Sequence, residues 1–141
     1  MNAITTPPFT RSRVFEPSAA TRRWLAMVLA VEGLAAVAAA VTAISLAPDA
    51  AAVLPTFGAT GAVALLLLAA AGAVISIMAF STAAAIVRRR DGAPGAAASV
   101  QLTLVAAALF AGLVNGFNPQ IVAGLLVAGI GLILAALIAR R

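Results

Sequence analysis

The sequence predicts an all-α integral membrane protein: a four-helix transmembrane bundle with its N-terminus and C-terminus cytoplasmic. Three observations lead there. Of the 141 residues, 64% are hydrophobic and only 9% charged, too little polar surface for a water-soluble fold to cover its apolar interior. The apolar residues gather into four runs, each long enough to cross a bilayer as a helix. All nine basic residues are arginines, and a four-span reading puts every one on the same side, as the positive-inside rule requires. These are Arg11, Arg13, Arg22, Arg23, Arg88, Arg89, Arg90, Arg140 and Arg141. A three-span reading would send Arg140 and Arg141 across the membrane.

Residues 1–21 carry Pro7, Pro8 and Pro17 among Thr, Ser and Arg with no sustained apolar period. They read as a flexible cytoplasmic tail, with a short ordered stretch at the membrane surface around Val14 and Phe15. The transmembrane domain covers residues 22–141. Its first span, 24–46, is about 23 residues long, roughly 34 Å at the helical rise. Ala47-Pro48-Asp49 breaks it. The second span, 58–87, exceeds what a bilayer needs, so tilt or an extension beyond the membrane is expected. It stops at Arg88-Arg89-Arg90. Asp91-Gly92-Ala93-Pro94-Gly95 reads as a tight turn, because Gly and Pro together disfavour a continuing helix. The third span is 96–114 and the fourth 119–139, with Asn118 as N-cap and Pro119 as first helical residue.

The arginine clusters, with Trp24 at the interface, are topology and lipid-headgroup anchors: Arg22, Arg23, Arg88, Arg89, Arg90, Arg140 and Arg141. Their placement beside spans argues against nucleic acid as a partner despite the net charge of +5. Thr21-Arg22-Arg23-Trp24-Leu25 faintly resembles a twin-arginine export signal. The apolar run that follows is longer than the roughly 7–15 residues of a signal-peptide core, which favours a span.

Cysteine and histidine are absent. Disulfides, thiol chemistry, His-ligated haem, Cys or His zinc sites and His-based catalytic relays are thereby excluded. No metal, no cofactor and no enzymatic activity is expected.

One side chain stands out energetically. Glu32 lies about 12 Å along the helix from Trp24, too deep to snorkel easily, where an acid costs about 2.5 to 3.5 kcal/mol to insert. Such a residue is expected to face inward and to matter for function. At 100° per residue Ala35, Ala36, Ala39, Ala40 and Ala43 share its face, whereas Leu34, Val37, Val41 and Ile44 lie opposite and are expected to meet lipid. No span holds a cation to pair with it. Desolvation disfavours the charged form, so Glu32 is expected to be largely protonated at neutral pH unless a second protein or a cation reaches it. Candidate polar partners at similar depth are Ser81 and Thr82 on the second span and Gln101 and Thr103 on the third. A Glu32–Gln101 hydrogen bond would satisfy both groups.

Small residues mark packing seams: Gly72, Ser76, Ala79 and Ala83 on the second span, Ala97, Gln101, Ala108 and Gly112 on the third, and Gly131, Ala135 and Ala139 on the fourth. Self-association or docking on other membrane subunits through such faces is expected alongside contact with the lipid bilayer.

Two functional classes follow. One is an accessory, scaffold or assembly component of a larger membrane complex, expected from short loops and unreactive spans. The other is a small oligomeric proton-coupled transporter. Val31-Glu32-Gly33 in the first span and Gly124-Leu125-Leu126-Val127-Ala128-Gly129 in the fourth resemble the small multidrug resistance exporters. That resemblance implies four short helices and a first-helix glutamate, here Glu32, exchanging protons for a cationic drug. The chain departs from it in having Trp24 as its only tryptophan and no tyrosine. A phage holin, also small and multi-span with a basic tail, is a further alternative. Brevity and heavy use of Ala and Arg without Lys suggest a prokaryotic cytoplasmic (inner) membrane.

Overall fold

The computed structural model describes residues 19–53, 55 and 60–140. The expected tail over residues 1–18, the start of the second span at Gly58 and the anchor Arg141 lie outside the described residues. Every regular element among those described is helical. They are α1 (Ala19–Leu46), a 3₁₀ turn (Ala47–Asp49), α2 (Ala50–Val53), α3 (Gly61–Val87), α4 (Ala93–Asn115) and α5 (Pro119–Ala139). Four of these, α1, α3, α4 and α5, are long and apolar enough to cross a membrane. A backbone inside lipid must satisfy its own N–H and C=O groups, and a continuous helix does so.

The ends of the helices follow local chemistry. α1 starts at Ala19, so Ala19, Ala20 and Thr21, expected in the tail, belong to the helix. Pro48 turns the chain into the 3₁₀ segment and does not stop it outright, since proline is tolerated in a first helical turn. α3 ends in a Schellman motif: Arg90 N–H donates to the Ala85 carbonyl at 3.0 Å and Arg89 N–H to that of Ile86 at 3.2 Å. The motif needs a left-handed residue, and Arg89 supplies it at φ 53°. Gly92, at φ 81°, completes the reversal. α4 then begins at Ala93, three residues earlier than expected, because Pro94 fits the first turn, where its missing N–H is no loss. Asn118 caps α5 as expected, its Oδ1 accepting from Ile121 N–H at 2.9 Å, with Pro119 next.

The helices form two antiparallel hairpins, α1 with α3 and α4 with α5, joined by narrower contacts of α1 with α5 and α3 with α4. α1 and α4 therefore lie diagonally opposite. In the first hairpin Gly72 allows a close crossing: a Cβ there would stand 2.9 Å from the Ala36 carbonyl oxygen and 3.2 Å from the Ala40 Cβ. One buried cluster draws on all four long helices at the arginine end, including Leu25, Ala79, Ile86, Ala97, Val100 and Ala135. A second, with Ala40, Ala43, Ala50, Leu65 and Ala69, belongs to α1, α2 and α3 alone. Among the described residues the two hairpins thus share a buried cluster in the arginine-end half.

Leu34, Val37, Val41 and Ile44 are exposed, consistent with a lipid-facing surface. The packed face of α1 is rotated from the expected one. Leu25, Leu29, Gly33, Ala40 and Ala43 are buried and Ala36 partly so, whereas Ala35 and Ala39 are exposed. Gly72, Ser76 and Ala79 are buried in the α3 seam with Ala83 partly so; Ala97, Gln101 and Gly112 are buried on α4 with Ala108 partly so. On α5 Gly131 and Ala135 are buried, but Ala139, at the helix end, is exposed.

Candidate functional site

Glu32 sits near the middle of α1, and the fold brings Gln101 of α4 to it across the bundle diagonal. Gln101 Nε2 donates to Glu32 Oε2 at 2.7 Å. That length suits a strong hydrogen bond. Gln101 is fully buried, at 0% exposure, and Glu32 is half-buried. The two residues sit at matching depth: each is about eight residues, hence about 12 Å, in from Trp24 or Ala93 at the arginine end. Gly131 of α5 completes the layer, since any Cβ on it would overlap the Gln101 carboxamide. On the other side of Glu32, Gly33 leaves room for the Phe80 ring of α3, whose atoms a Cβ there would meet at 3.0 to 3.2 Å. The site draws on all four long helices, with Glu32 and Gly33 from α1, Phe80 from α3, Gln101 from α4 and Gly131 from α5.

Of the four expected partners, Gln101 alone bonds Glu32 among the described residues. Ser81 is exposed and donates to the Met78 carbonyl of its own helix at 3.0 Å. Thr103 is likewise exposed and donates to the Ser99 carbonyl at 2.9 Å. A hydroxyl on a helix readily bonds back one turn, which removes it from interhelical duty. Thr82 is buried in the packing face of α3. Neither Phe80 nor Gly33 follows from a search for polar partners. The available signal was steric: a glycine directly after the buried acid marks a close approach.

Two acceptors in this layer, Glu32 Oε1 and Gln101 Oε1, are buried and have no hydrogen-bond partner among the described residues. The amide donates a hydrogen bond to the carboxyl and accepts none in return. A carboxyl that carries its own proton can donate as well as accept, and a single O–H between these two oxygens would close a cyclic acid–amide pair. Burying two polar groups in apolar surroundings is costly unless such bonds are completed.

Arg22, Arg89 and Arg90 line one pocket together with Ile138 and Ala139. The start of α1, the α3–α4 turn and the end of α5 therefore share one end of the bundle. Trp24, one turn inside it, is 59% exposed, consistent with an interfacial residue. Arg23 lies nearby, in a neighbouring hollow with Arg22 and Arg89. Arg88 caps α3, and Arg140 caps α5 through its N–H to the Ala136 carbonyl. Among the described residues no group of three or more His, Cys, Asp or Glu could hold a metal ion.

Comparison with protein-family models, curated proteins and solved structures finds no match to this chain.

Proposed function

We propose that this protein is a non-enzymatic component of a larger membrane complex, an accessory, scaffold or assembly subunit, in which the Glu32–Gln101 pair ties its two hairpins together. The observation that carries this reading is that the one costly intramembrane acid is engaged by the chain's own Gln101 at 2.7 Å. A carboxyl held by an internal amide donor serves packing; a substrate would have to displace that donor. The outer faces of the helices are apolar, with Leu67, Ile77, Phe110 and Leu113 among their exposed residues. Such faces suit lipid or other membrane helices. In this reading Glu32 is the neutral half of an acid–amide pair. The arginine end faces the cytoplasm of a prokaryotic cell, with both termini there.

Native mass spectrometry of the protein extracted from its own host, in a mild detergent or a lipid-retaining polymer, tests the proposal. Recovery with other subunits in a fixed ratio is the expected result, and Glu32→Gln, which preserves shape and replaces the carboxyl O–H by an amide donor, should leave that ratio unchanged. Recovery alone as a dimer or higher oligomer, with proton-driven transport in liposomes that Glu32→Gln abolishes, would overturn it in favour of a coupled transporter.

A further inference from the structure

We propose that the pocket at the arginine end is a binding site for the phosphate headgroup of an anionic phospholipid. The cavity, of about 410 Å³, lies between the first turns of α1, the α3–α4 turn and the end of α5. Among the described residues three arginines line it, Arg22, Arg89 and Arg90, against a single acid, Asp91. Guanidinium groups hold phosphate oxygens in a bidentate fork and keep their charge at every physiological pH. The first turn of α4 also borders the cavity and adds the positive end of a helix dipole. A smaller hollow, of about 220 Å³, shares Arg22 and Arg89 and adds Arg23.

Two features favour a lipid over free phosphate. Ile86 and Ile138, both in the buried core cluster, line the same cavity, so its wall is apolar where its rim is basic. An amphiphile matches that polarity and an inorganic anion does not. The cavity also stands at the ends of four spanning helices, the depth at which headgroups lie. Arg89 adds a third consideration. It occupies the left-handed position of the Schellman motif at φ 53°, where glycine is the unstrained choice. An arginine kept there at a conformational cost places its charge beside the cavity. This inference is independent of whether the chain serves a larger complex.

The test is native mass spectrometry of the full-length protein in nanodiscs containing equal amounts of phosphatidylglycerol and phosphatidylcholine. The expected result is selective retention of phosphatidylglycerol, weakened about fivefold for each arginine replaced in Arg22→Gln, Arg89→Gln and Arg90→Gln. The control Arg11→Gln with Arg13→Gln removes two charges of the same chain that are not among the headgroup anchors, and should leave retention unchanged. The wild-type measurement stands by itself if a variant fails to fold: no preference for phosphatidylglycerol would overturn the proposal. Equal losses in the cavity variants and the control would also overturn it, since attraction would then be diffuse. Displacement of the lipid by millimolar inorganic phosphate would overturn the lipid assignment and leave a phosphate site.

Discussion

At the scale of single residues, two glycines on one helix give opposite expectations. A Cβ at Gly131 overlaps the Gln101 carboxamide, whereas one at Gly124 meets nothing within 4 Å. Gly131→Ala should displace Gln101 from Glu32 and lower stability by about 1 to 3 kcal/mol, and Gly124→Ala should be neutral or slightly stabilising through helix propensity. Thermal unfolding of the two variants in the same detergent distinguishes them; equal midpoints would mean that the carboxamide is not seated on Gly131. Arg89→Gly is expected to stabilise the α3–α4 turn by about 1 kcal/mol, by relieving a left-handed backbone that costs a non-glycine residue about 1 to 2 kcal/mol. The same variant should weaken phosphatidylglycerol retention, so stability and lipid binding would move in opposite directions. The Glu32–Gln101 bond was legible in the sequence because a buried acid without a cation needs a neutral donor at its own depth, and few exist. Ser81 and Thr103 fitted the depth criterion equally well. What removed them was helix rotation, which depth does not encode.

Elements show the same division between what composition reveals and what packing decides. Four helices are long and apolar enough to span, as composition predicts, and the Asn118 cap and the break at Arg88-Arg89-Arg90 appear where local chemistry puts them. Asn118→Ala should cost about 0.5 to 2 kcal/mol through the lost bond to Ile121 N–H, read as earlier exchange of the first-turn amides of α5; unchanged exchange there would remove the capping role. The inward face of α1 is less legible. Alanine and branched residues alternate around a helix that is apolar on nearly every side, so only contact geometry sets its rotation. That rotation leaves Ala35 and Ala39 exposed while Ala40 and Ala43 are buried. The early start of α4 turned on whether Pro94 ends a loop or opens a helix, and proline allows either. Gly92 settles it by taking the left-handed turn position itself.

For the whole molecule, the arginine pattern predicted that the starts of α1 and α4 and the ends of α3 and α5 share one end, and the cavity lining places them together. The chain has no cysteine, so single reporters give an unambiguous reading of sidedness. Asp91→Cys should react only with a membrane-permeant thiol reagent in intact cells, and Asp49→Cys and Gln120→Cys also with an impermeant one; labelling of Asp91→Cys from outside would reverse the topology. Among the described residues the hairpins share a buried cluster toward the arginine end, and the diagonal bond between α1 and α4 lies at the inner edge of that cluster. This bond is the polar tie between the two hairpins, beside the apolar core they share. A double-mutant cycle of Glu32→Ala and Gln101→Ala, followed by reversible unfolding in bicelles, tests it most directly. Each single change should cost about 1 to 2 kcal/mol, and the double change little more than either, giving a coupling of about 1 kcal/mol. Single effects that add to within about 0.3 kcal/mol would contradict it, and would mean that the two residues do not hold the hairpins together.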